Sequence, residues 1–249
     1  MQSNLPLETP NSWPIGLLNV LENHYDLFLA WKKGLTVNCV KAYDQAIDDV
    51  ERQLQLYSIV GWHCTRLTDN EISTFLTEGI QLPNATVLDR RIDECVKANL
   101  LTHEIVATLK GTNQAQDSNR AGKFYFCFFI PAIAGESGIS RFFRYWGGEA
   151  LYNSHEDNPV ISKALSAFGT PCVITVDVPI ASLKKNNSLA CNIVQRFLIS
   201  KGYSTGESIN FVSGINQGLS PENIRGIVRF PTSEFFSLTG CSSWVRKLA

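Results

Sequence analysis

The sequence predicts an α+β fold in which short strands and helices are mixed without regular alternation. Three observations support this prediction. Residues 123–130 form an aromatic, almost fully apolar strand pattern, further strand patterns occur at 172–178 and 224–230, and helical patterns are inserted between them. A doubly wound parallel sheet would instead alternate strands with helices, and neither a Gly-x-Gly-x-x-Gly fingerprint nor a phosphate-binding P-loop is present in the sequence.

Length and composition indicate a folded chain without a strong charge signature. The 249 residues suffice for one large domain or two small ones; 44% are hydrophobic and 18% are charged. The net charge of -1 provides no global basic signature for nucleic-acid binding. The sequence shows no signal-peptide pattern and no run of about 18 apolar residues, so we expect a soluble, cytoplasmic protein with no membrane partner.

The seven cysteines are odd in number, scattered and never spaced as Cys-x-x-Cys. Two of them, Cys127 and Cys172, lie in apolar strand patterns. We therefore expect most to be buried thiols in a reducing compartment rather than members of a disulfide framework. A structural zinc site is not expected, because no pair of ligands has the usual spacing.

The first part of the chain, residues 1–55, is expected to form an irregular arm and a helical segment. Three prolines interrupt residues 1–14, and helical periodicity begins at Ile15. The apolar side chains that recur at helical spacing in this segment are Val40, Tyr43, Ile47 and Val50. Residues 56–249 are expected to form the α+β domain itself.

Within 56–249 the elements follow in a mixed order. A strand at 56–63 leads to Thr68 and Glu71, which have the spacing of a capping box, and Gly79 stands where the resulting helix would end. The remaining predicted elements are a helical region at 87–110, a polar loop at 111–122, a central strand at 123–130, a helix at 136–145, a turn with a short strand at 146–152, a helix at 159–168, a strand at 172–178, a turn at 218–221 and a strand at 224–230.

Three places in this order contain groups that could bind or react. The run His63-Cys64-Thr65-Arg66 stands at the end of the first strand, where side chains reach a sheet edge or a cleft mouth; a histidine satisfied by a turn backbone would look the same. Tyr125 lies in the aromatic strand, and a packed core tyrosine whose hydroxyl finds a hydrogen-bond partner is the alternative to a binding residue. Glu222 stands at the mouth of the last strand, where a solvated turn residue is the alternative.

A rival carboxylate, Glu149, follows two glycines within an aromatic tract at 142–152. Glycine pairs allow a ligand or another backbone to approach closely. The tract suits the floor of a pocket, and it equally suits a packed corner whose backbone requires glycine.

The order of these motifs resembles the ADP-ribosyltransferase-like superfamily, in the branch related to poly-ADP-ribose polymerases and diphtheria toxin. The resemblance spans residues 56–230, and its motifs are short. The matching pieces are Trp62-His63-Cys64-Thr65, Gly122-Lys123-Phe124-Tyr125-Phe126, Ser137 or Ser140 with Phe142, Phe143 or Tyr145, and Glu222-Asn223-Ile224. The sequence departs from the family at Cys64, where Gly or Ala is usual, at Phe124, which replaces a Gly, and in a longer stretch before the stacking aromatic.

The resemblance implies a split pair of small mixed sheets that hold NAD, the substrate, in an extended cleft. It implies that His63 hydrogen-bonds the adenosine ribose, that the backbone of Cys64 pairs with the nicotinamide amide, and that Tyr125 packs against the nicotinamide. Thr65 would help to fix the loop or the sugar. The helix start and stacking aromatic of the family would correspond to Ser137 or Ser140 and to Phe143 or Tyr145.

The resemblance also implies that Glu222 holds a ribose hydroxyl and faces the positive charge that develops at the anomeric carbon. Cleavage of nicotinamide from ribose passes through an oxocarbenium-like state, which a preorganised carboxylate stabilises more than the ground state. Glu149 is the replacement if Glu222 lies far from the cleft. Arg66 and Arg120 are candidate ligands of the pyrophosphate, since arginine forks suit phosphate oxygens; solvent-exposed arginines are the alternative.

The resulting hypothesis is an enzyme that transfers a single ADP-ribose from NAD to a protein or a nucleic acid. The same cleft would serve a toxin-like or defensive NAD glycohydrolase, whereas the related RNA 2'-phosphotransferases are normally more basic than this chain. The departures at Cys64 and Phe124 leave open a non-catalytic module that binds NAD, ADP-ribose or a partner protein. An unrelated α+β domain is the remaining alternative. The sequence predicts neither the acceptor nor the oligomeric state.

Overall fold

The computed structural model describes residues 3–35, 39–183, 188–204 and 206–248 of the chain. In these ranges the chain forms an α+β fold, which confirms the predicted class. Every helix in the same ranges is too short or too polar to cross a lipid bilayer.

Helices and strands interleave along the described residues. The strands are β1 (Ser3–Asn4), β2 (Tyr57–Leu67), β3 (Phe124–Cys127), β4 (Thr170–Pro179), β5 (Val212–Ile215) and β6 (Ile224–Arg229). The helices are α1 (Ile15–Asn23), α2 (Tyr25–Lys32), α3 (Val40–Leu54), α4 (Asp69–Glu78), α5 (Ala85–Lys97), α6 (His103–Gly111), α7 (Gly135–Arg144), α8 (Glu149–His155), α9 (Pro159–Ser166), α10 (Ser188–Ser200) and α11 (Ser233–Thr239).

The six strands form one sheet in the order β5-β3-β2-β4-β6, with β1 parallel to the start of β2. Strand β3 runs antiparallel to β2, with Trp62 opposite Cys127, and β6 runs antiparallel to β4, with Cys172 opposite Arg229. The expectation of two small separate sheets is therefore corrected. The two longest strands, β2 with 11 residues and β4 with 10, are neighbours in the middle and connect the other strands into one sheet.

The chain divides into two compact units, each made from two stretches of sequence. Unit 1 comprises Met1–Gly61 and Asp177–Ser213, and unit 2 comprises Trp62–Val176 and Gly214–Ala249. In unit 1, α3 packs against α1, α2 and α10, which confirms the predicted helical segment after Ile15. Three of the four predicted stripe residues of α3, namely Tyr43, Ile47 and Val50, are buried, whereas Val40 is exposed.

In the described residues of unit 2, buried apolar side chains pack into groups that join several elements. One group combines residues of α5, α6, α8 and α9 with Trp146. Another combines β2, α7, β4 and α11, and its members include Cys64, Phe143, Val173 and Phe235. Burial of large apolar side chains is the main favourable term in folding, so these groups hold the elements of the site in place.

One predicted helical region is divided in the structure, and one predicted short strand is a helix. The helical region at 87–110 is interrupted between α5 and α6, where Asn99 adopts a left-handed φ of 56° and Thr102 starts α6 by accepting a hydrogen bond from the backbone N–H of Ile105. The short strand predicted at 146–152 is wrong, because α8 begins at Glu149. A short aromatic run does not distinguish a strand from a buried helical turn.

The first core strand is longer than predicted, which changes the setting of the histidine motif. Strand β2 continues to Leu67, so His63 lies inside the strand and not at its end. The capping box then begins α4 directly after the strand. The central aromatic strand is shorter than predicted, because β3 covers only Phe124–Cys127.

Candidate functional site

A cavity of about 830 Å³ lies in unit 2. It is lined by the second half of β2, by α4 and the segment that follows it, by α5, and by Phe124 of β3. Cavities that bind small molecules and cofactors have volumes of roughly 300–1,000 Å³. Two of the predicted site residues, His63 and Thr65, line this cavity.

His63 is fixed in the cavity wall by the neighbouring strand. Its Nδ1 lies 2.9 Å from the backbone carbonyl oxygen of Tyr125, so the neutral ring donates from Nδ1 and keeps Nε2 as an acceptor. The ring centroid lies 4.1 Å from that of Phe124. Burial lowers the pKa of His63 to about 4; the hydrogen bond to Tyr125 opposes this shift, and the positive charge of Arg91 adds to it. The imidazole is therefore neutral at pH 7.

This pKa makes stability dependent on pH. The pKa of His63 falls from an ordinary value of 6.5 to about 4 on folding. Between these two pH values the unfolded chain binds more protons than the folded chain. The free energy of unfolding therefore decreases as the pH is lowered from 6.5 to about 4. Because the ring is half-buried, we expect His63 to account for about 1–2 kcal/mol of the loss between pH 7 and pH 5.

The measurement is urea unfolding of the wild type and of His63→Asn at both pH values. The asparagine amide can still donate to the Tyr125 carbonyl but does not titrate. A variant that loses as much stability as the wild type between the two pH values would show that His63 does not cause the dependence.

Glu71 is the most extensively bonded carboxylate of the cavity wall. Its Oε2 accepts hydrogen bonds from the Thr68 backbone N–H at 2.8 Å and from the Trp146 Nε1–H at 2.9 Å, and its Oε1 accepts from Arg91 Nε at 2.6 Å. Burial raises its pKa, but the charge of Arg91 and the hydrogen bonds outweigh burial, and the pKa lies below its usual value. The carboxylate is thus a fixed anion with its donors in place. The predicted capping box of Thr68 and Glu71 is confirmed.

Two arginines of α5 also line the cavity, and sequence reasoning did not identify them. Arg90 Nη2 donates to the side-chain oxygen of Gln81 at 2.8 Å. Arg91 lies over the indole of Trp146, with the guanidinium carbon 5.0 Å from the ring centroid. The sequence contains no local signal for these contacts, because charged residues on an amphipathic helix normally indicate a solvated face.

Two predicted residues of the histidine motif have side chains outside the cavity lining. Cys64 is buried among apolar side chains, and burial raises the pKa of its thiol well above the usual value. Arg66 is also buried, and its guanidinium donates to three backbone carbonyls, those of Phe168 at 2.7 Å, Phe143 at 2.9 Å and Ser166 at 3.0 Å. Arg66 therefore connects β2 to the C-terminal turns of α7 and α9 and to the residues that follow α9.

The predicted tyrosine and glutamate lie close to the cavity but do not line it. Tyr125 alternates with the buried Phe124 along β3, is 42% exposed, and donates from its hydroxyl to the Asn119 carbonyl at 3.0 Å. Glu222 is exposed in a short 3₁₀ turn before β6. The preceding Pro221 packs against Gly79 of the cavity lining, since a Cβ built on Gly79 would lie 2.9 Å from the Pro221 nitrogen.

The structure groups the rival carboxylate Glu149 with Arg120. Glu149 Oε2 lies 3.5 Å from Arg120 Nε, and neither residue lines the cavity. The predicted serine and aromatic positions also lie outside the lining: Ser137 is exposed on α7, Ser140 and Phe143 are buried on the same helix, and Tyr145 is half-buried beside Tyr152.

The polar groups that line the site are thus a neutral imidazole, two arginines and several hydroxyl and carboxylate groups. Among the described residues, no group of three or more His, Cys, Asp or Glu side chains is arranged to hold a metal ion. No protein-family model, curated protein or solved structure matches the chain.

Proposed function

We propose that the chain binds NAD in this cavity, breaks the nicotinamide–ribose bond and transfers ADP-ribose to a macromolecule, with water as the alternative acceptor. The observation that supports the proposal is the pairing of the histidine and tyrosine strands: His63, which lines a cavity of about 830 Å³, is hydrogen-bonded to the carbonyl of Tyr125 on the neighbouring strand. The proposed location is the cytoplasm, which agrees with the seven free thiols.

His63 is suited to hold a ribose hydroxyl. Its Nδ1–H donates a hydrogen bond to the Tyr125 carbonyl oxygen, and its pKa of about 4 leaves Nε2 unprotonated at pH 7. A lone pair of this kind accepts a hydrogen bond from a hydroxyl, and the bond on Nδ1 fixes the orientation of the ring. Thr65, two residues further along the same strand, also lines the cavity and adds a hydroxyl that both donates and accepts.

Glu222 is the proposed catalytic carboxylate. The segment that leads to it is attached to the cavity rim, where Leu219 and Ile80 exchange two backbone hydrogen bonds of 2.8 and 3.0 Å. From the adjoining turn, the carboxylate would face the ribose of a bound NAD and stabilise the positive charge that develops as nicotinamide leaves. Glu149 stays the second candidate for this role.

The test is nicotinamide release from NAD by the purified chain. We expect Glu222→Gln to reduce the rate by a factor on the order of 10²–10³, because it removes the charge that stabilises the transition state and keeps the size of the side chain. The matched control is Glu234→Gln, at an exposed first-turn position of α11, which should leave the rate unchanged.

The third variant in the same assay is Glu149→Gln. Loss of release in this variant alone would move the catalytic role from Glu222 to Glu149. Absence of release together with absence of NAD binding in calorimetry would refute the proposed function.

A non-catalytic module that binds NAD or ADP-ribose is the second candidate. The observation that favours it is the position of the two candidate carboxylates, since neither Glu222 nor Glu149 lines the cavity and Glu71 is already engaged by its donors. Saturable binding of NAD without nicotinamide release, in the wild type and in Glu222→Gln alike, would support this candidate over the enzyme.

A further inference from the structure

We infer that Arg91, held in place by Glu71 and Trp146, binds the phosphate groups of the ligand in this cavity, and that the ligand carries a diphosphate. The identity of that ligand as NAD rests on the proposed function. The phosphate-binding role of Arg91 follows from its own geometry and from the charges around it.

The guanidinium of Arg91 is preorganised. Its Nε donates to Glu71 Oε1 at 2.6 Å, and one of its faces lies over the Trp146 indole. Within the described part of the chain, no other hydrogen bond to this guanidinium is formed, so the two terminal nitrogens keep their donors while the orientation of the plane is already set. The side chain is 30% exposed and lines the cavity, so a ligand can reach it.

Such an arrangement suits phosphate oxygens. A guanidinium presents planar donors that match two oxygens of a phosphate, and a fixed side chain loses less conformational freedom on binding. Trp146 is fully buried, which keeps the plane in position. Arg90, the preceding residue in α5, places a second positive charge in the same cavity wall.

The acidic residues of the cavity are largely matched by cations or amides. Asp69 pairs with Arg229 at 3.1 Å, and Glu94 pairs with Lys97 at 2.6 Å. Glu78 accepts a hydrogen bond from the Gln81 amide at 2.8 Å, and the oxygen of the same amide binds Arg90. The acidic lining therefore leaves the donors of Arg91 available to an anion.

The positions of Arg91 and His63 agree with the connectivity of a nucleotide. Arg91 and His63 line the same cavity, and the positive charge of Arg91 lowers the pKa of His63. In a dinucleotide the ribose is bonded directly to the diphosphate. A ribose at His63 thus brings its diphosphate toward Arg91, so the arginine would select nucleotides with a diphosphate over nucleosides.

A matched pair of variants tests this inference without leaving the Glu71 carboxylate buried in the absence of Arg91. Glu71→Gln and the double variant Glu71→Gln/Arg91→Met both remove the buried carboxylate, and they differ only at Arg91. Calorimetry with ADP and with inorganic pyrophosphate should give at least about tenfold weaker binding to the double variant than to Glu71→Gln, because a charge-assisted hydrogen bond is lost. Adenosine, which lacks phosphate, should bind both variants equally.

Equal affinity of the two variants for ADP and pyrophosphate would overturn the inference, and so would absence of binding of both probes to the wild type at millimolar concentration. Urea unfolding of both variants confirms that each is folded under the assay conditions.

Nicotinamide release separates this inference from the proposed function. Phosphate binding that depends on Arg91 without any nicotinamide release supports the inference and contradicts the proposed reaction. Release with the same KM for NAD in both variants contradicts the inference and leaves the proposed reaction standing.

Discussion

Replacing Glu71 with alanine is expected to lower the free energy of unfolding by about 3–5 kcal/mol. The substitution removes the acceptor of four donors at once: the Thr68 backbone N–H, the Thr68 hydroxyl, the Trp146 indole N–H and the Arg91 guanidinium. Breaking a buried ion pair at one partner is more damaging than removing both charges, because the remaining charge stays partly buried without compensation. The indole N–H is then buried without its acceptor as well.

Urea unfolding measures this effect, with two variants for comparison. Glu71→Gln retains a side-chain oxygen for the Thr68 and Trp146 donors and should lose less stability than alanine. Glu78→Ala, at the exposed end of the same helix, removes a hydrogen bond to the Gln81 side chain and should change the free energy of unfolding by about 0.5 kcal/mol or less. A Glu71→Ala variant within about 1 kcal/mol of the wild type would show that the network contributes little.

The contrast between Thr68 and Trp146 shows how far the sequence could predict this network. Thr68 stands three residues before Glu71, and this spacing is a local sequence pattern that predicts the hydrogen bonds of a capping box. Arg91 and Trp146 are separated from Glu71 by 20 and 75 residues, and only the packing of α4, α5 and the segment after α7 brings them together. A buried contact of this kind leaves no periodicity in the sequence, so the capping residue was predicted and its role in the cavity was not.

The same distinction applies to the candidate ligand-binding residues. The order of the His63 and Tyr125 strands was predicted, and the structure places these strands side by side. The direction of each side chain depends on the register of the strand, and a shift by one residue reverses the face. For this reason the structure places Phe124, and not the predicted Tyr125, in the lining of the cavity. Helix α10, which packs in unit 1, is absent from the predicted elements.

Gly79 was predicted as the end of α4, and its substitution should have the second large effect on stability. The residue has φ 80° and ψ −155°, a region that side-chain-bearing residues rarely enter. A Cβ at this position would lie 2.1 Å from the Leu219 carbonyl oxygen. Gly79→Ala combines backbone strain with this overlap, and we expect a loss of about 3–5 kcal/mol in the free energy of unfolding.

The matched control is Gly122→Ala, because Gly122 has a φ of 68° and a Cβ there would meet no atom within 4 Å. That variant should lose only about 1 kcal/mol, the cost of the left-handed backbone alone. Equal losses in the two variants would mean that the segment carrying Leu219 moves away without penalty. Since this segment also leads to Glu222, a displacement at Gly79 should reduce nicotinamide release as well as stability. A Gly79→Ala protein that is destabilised but fully active would argue against Glu222 as the catalytic carboxylate.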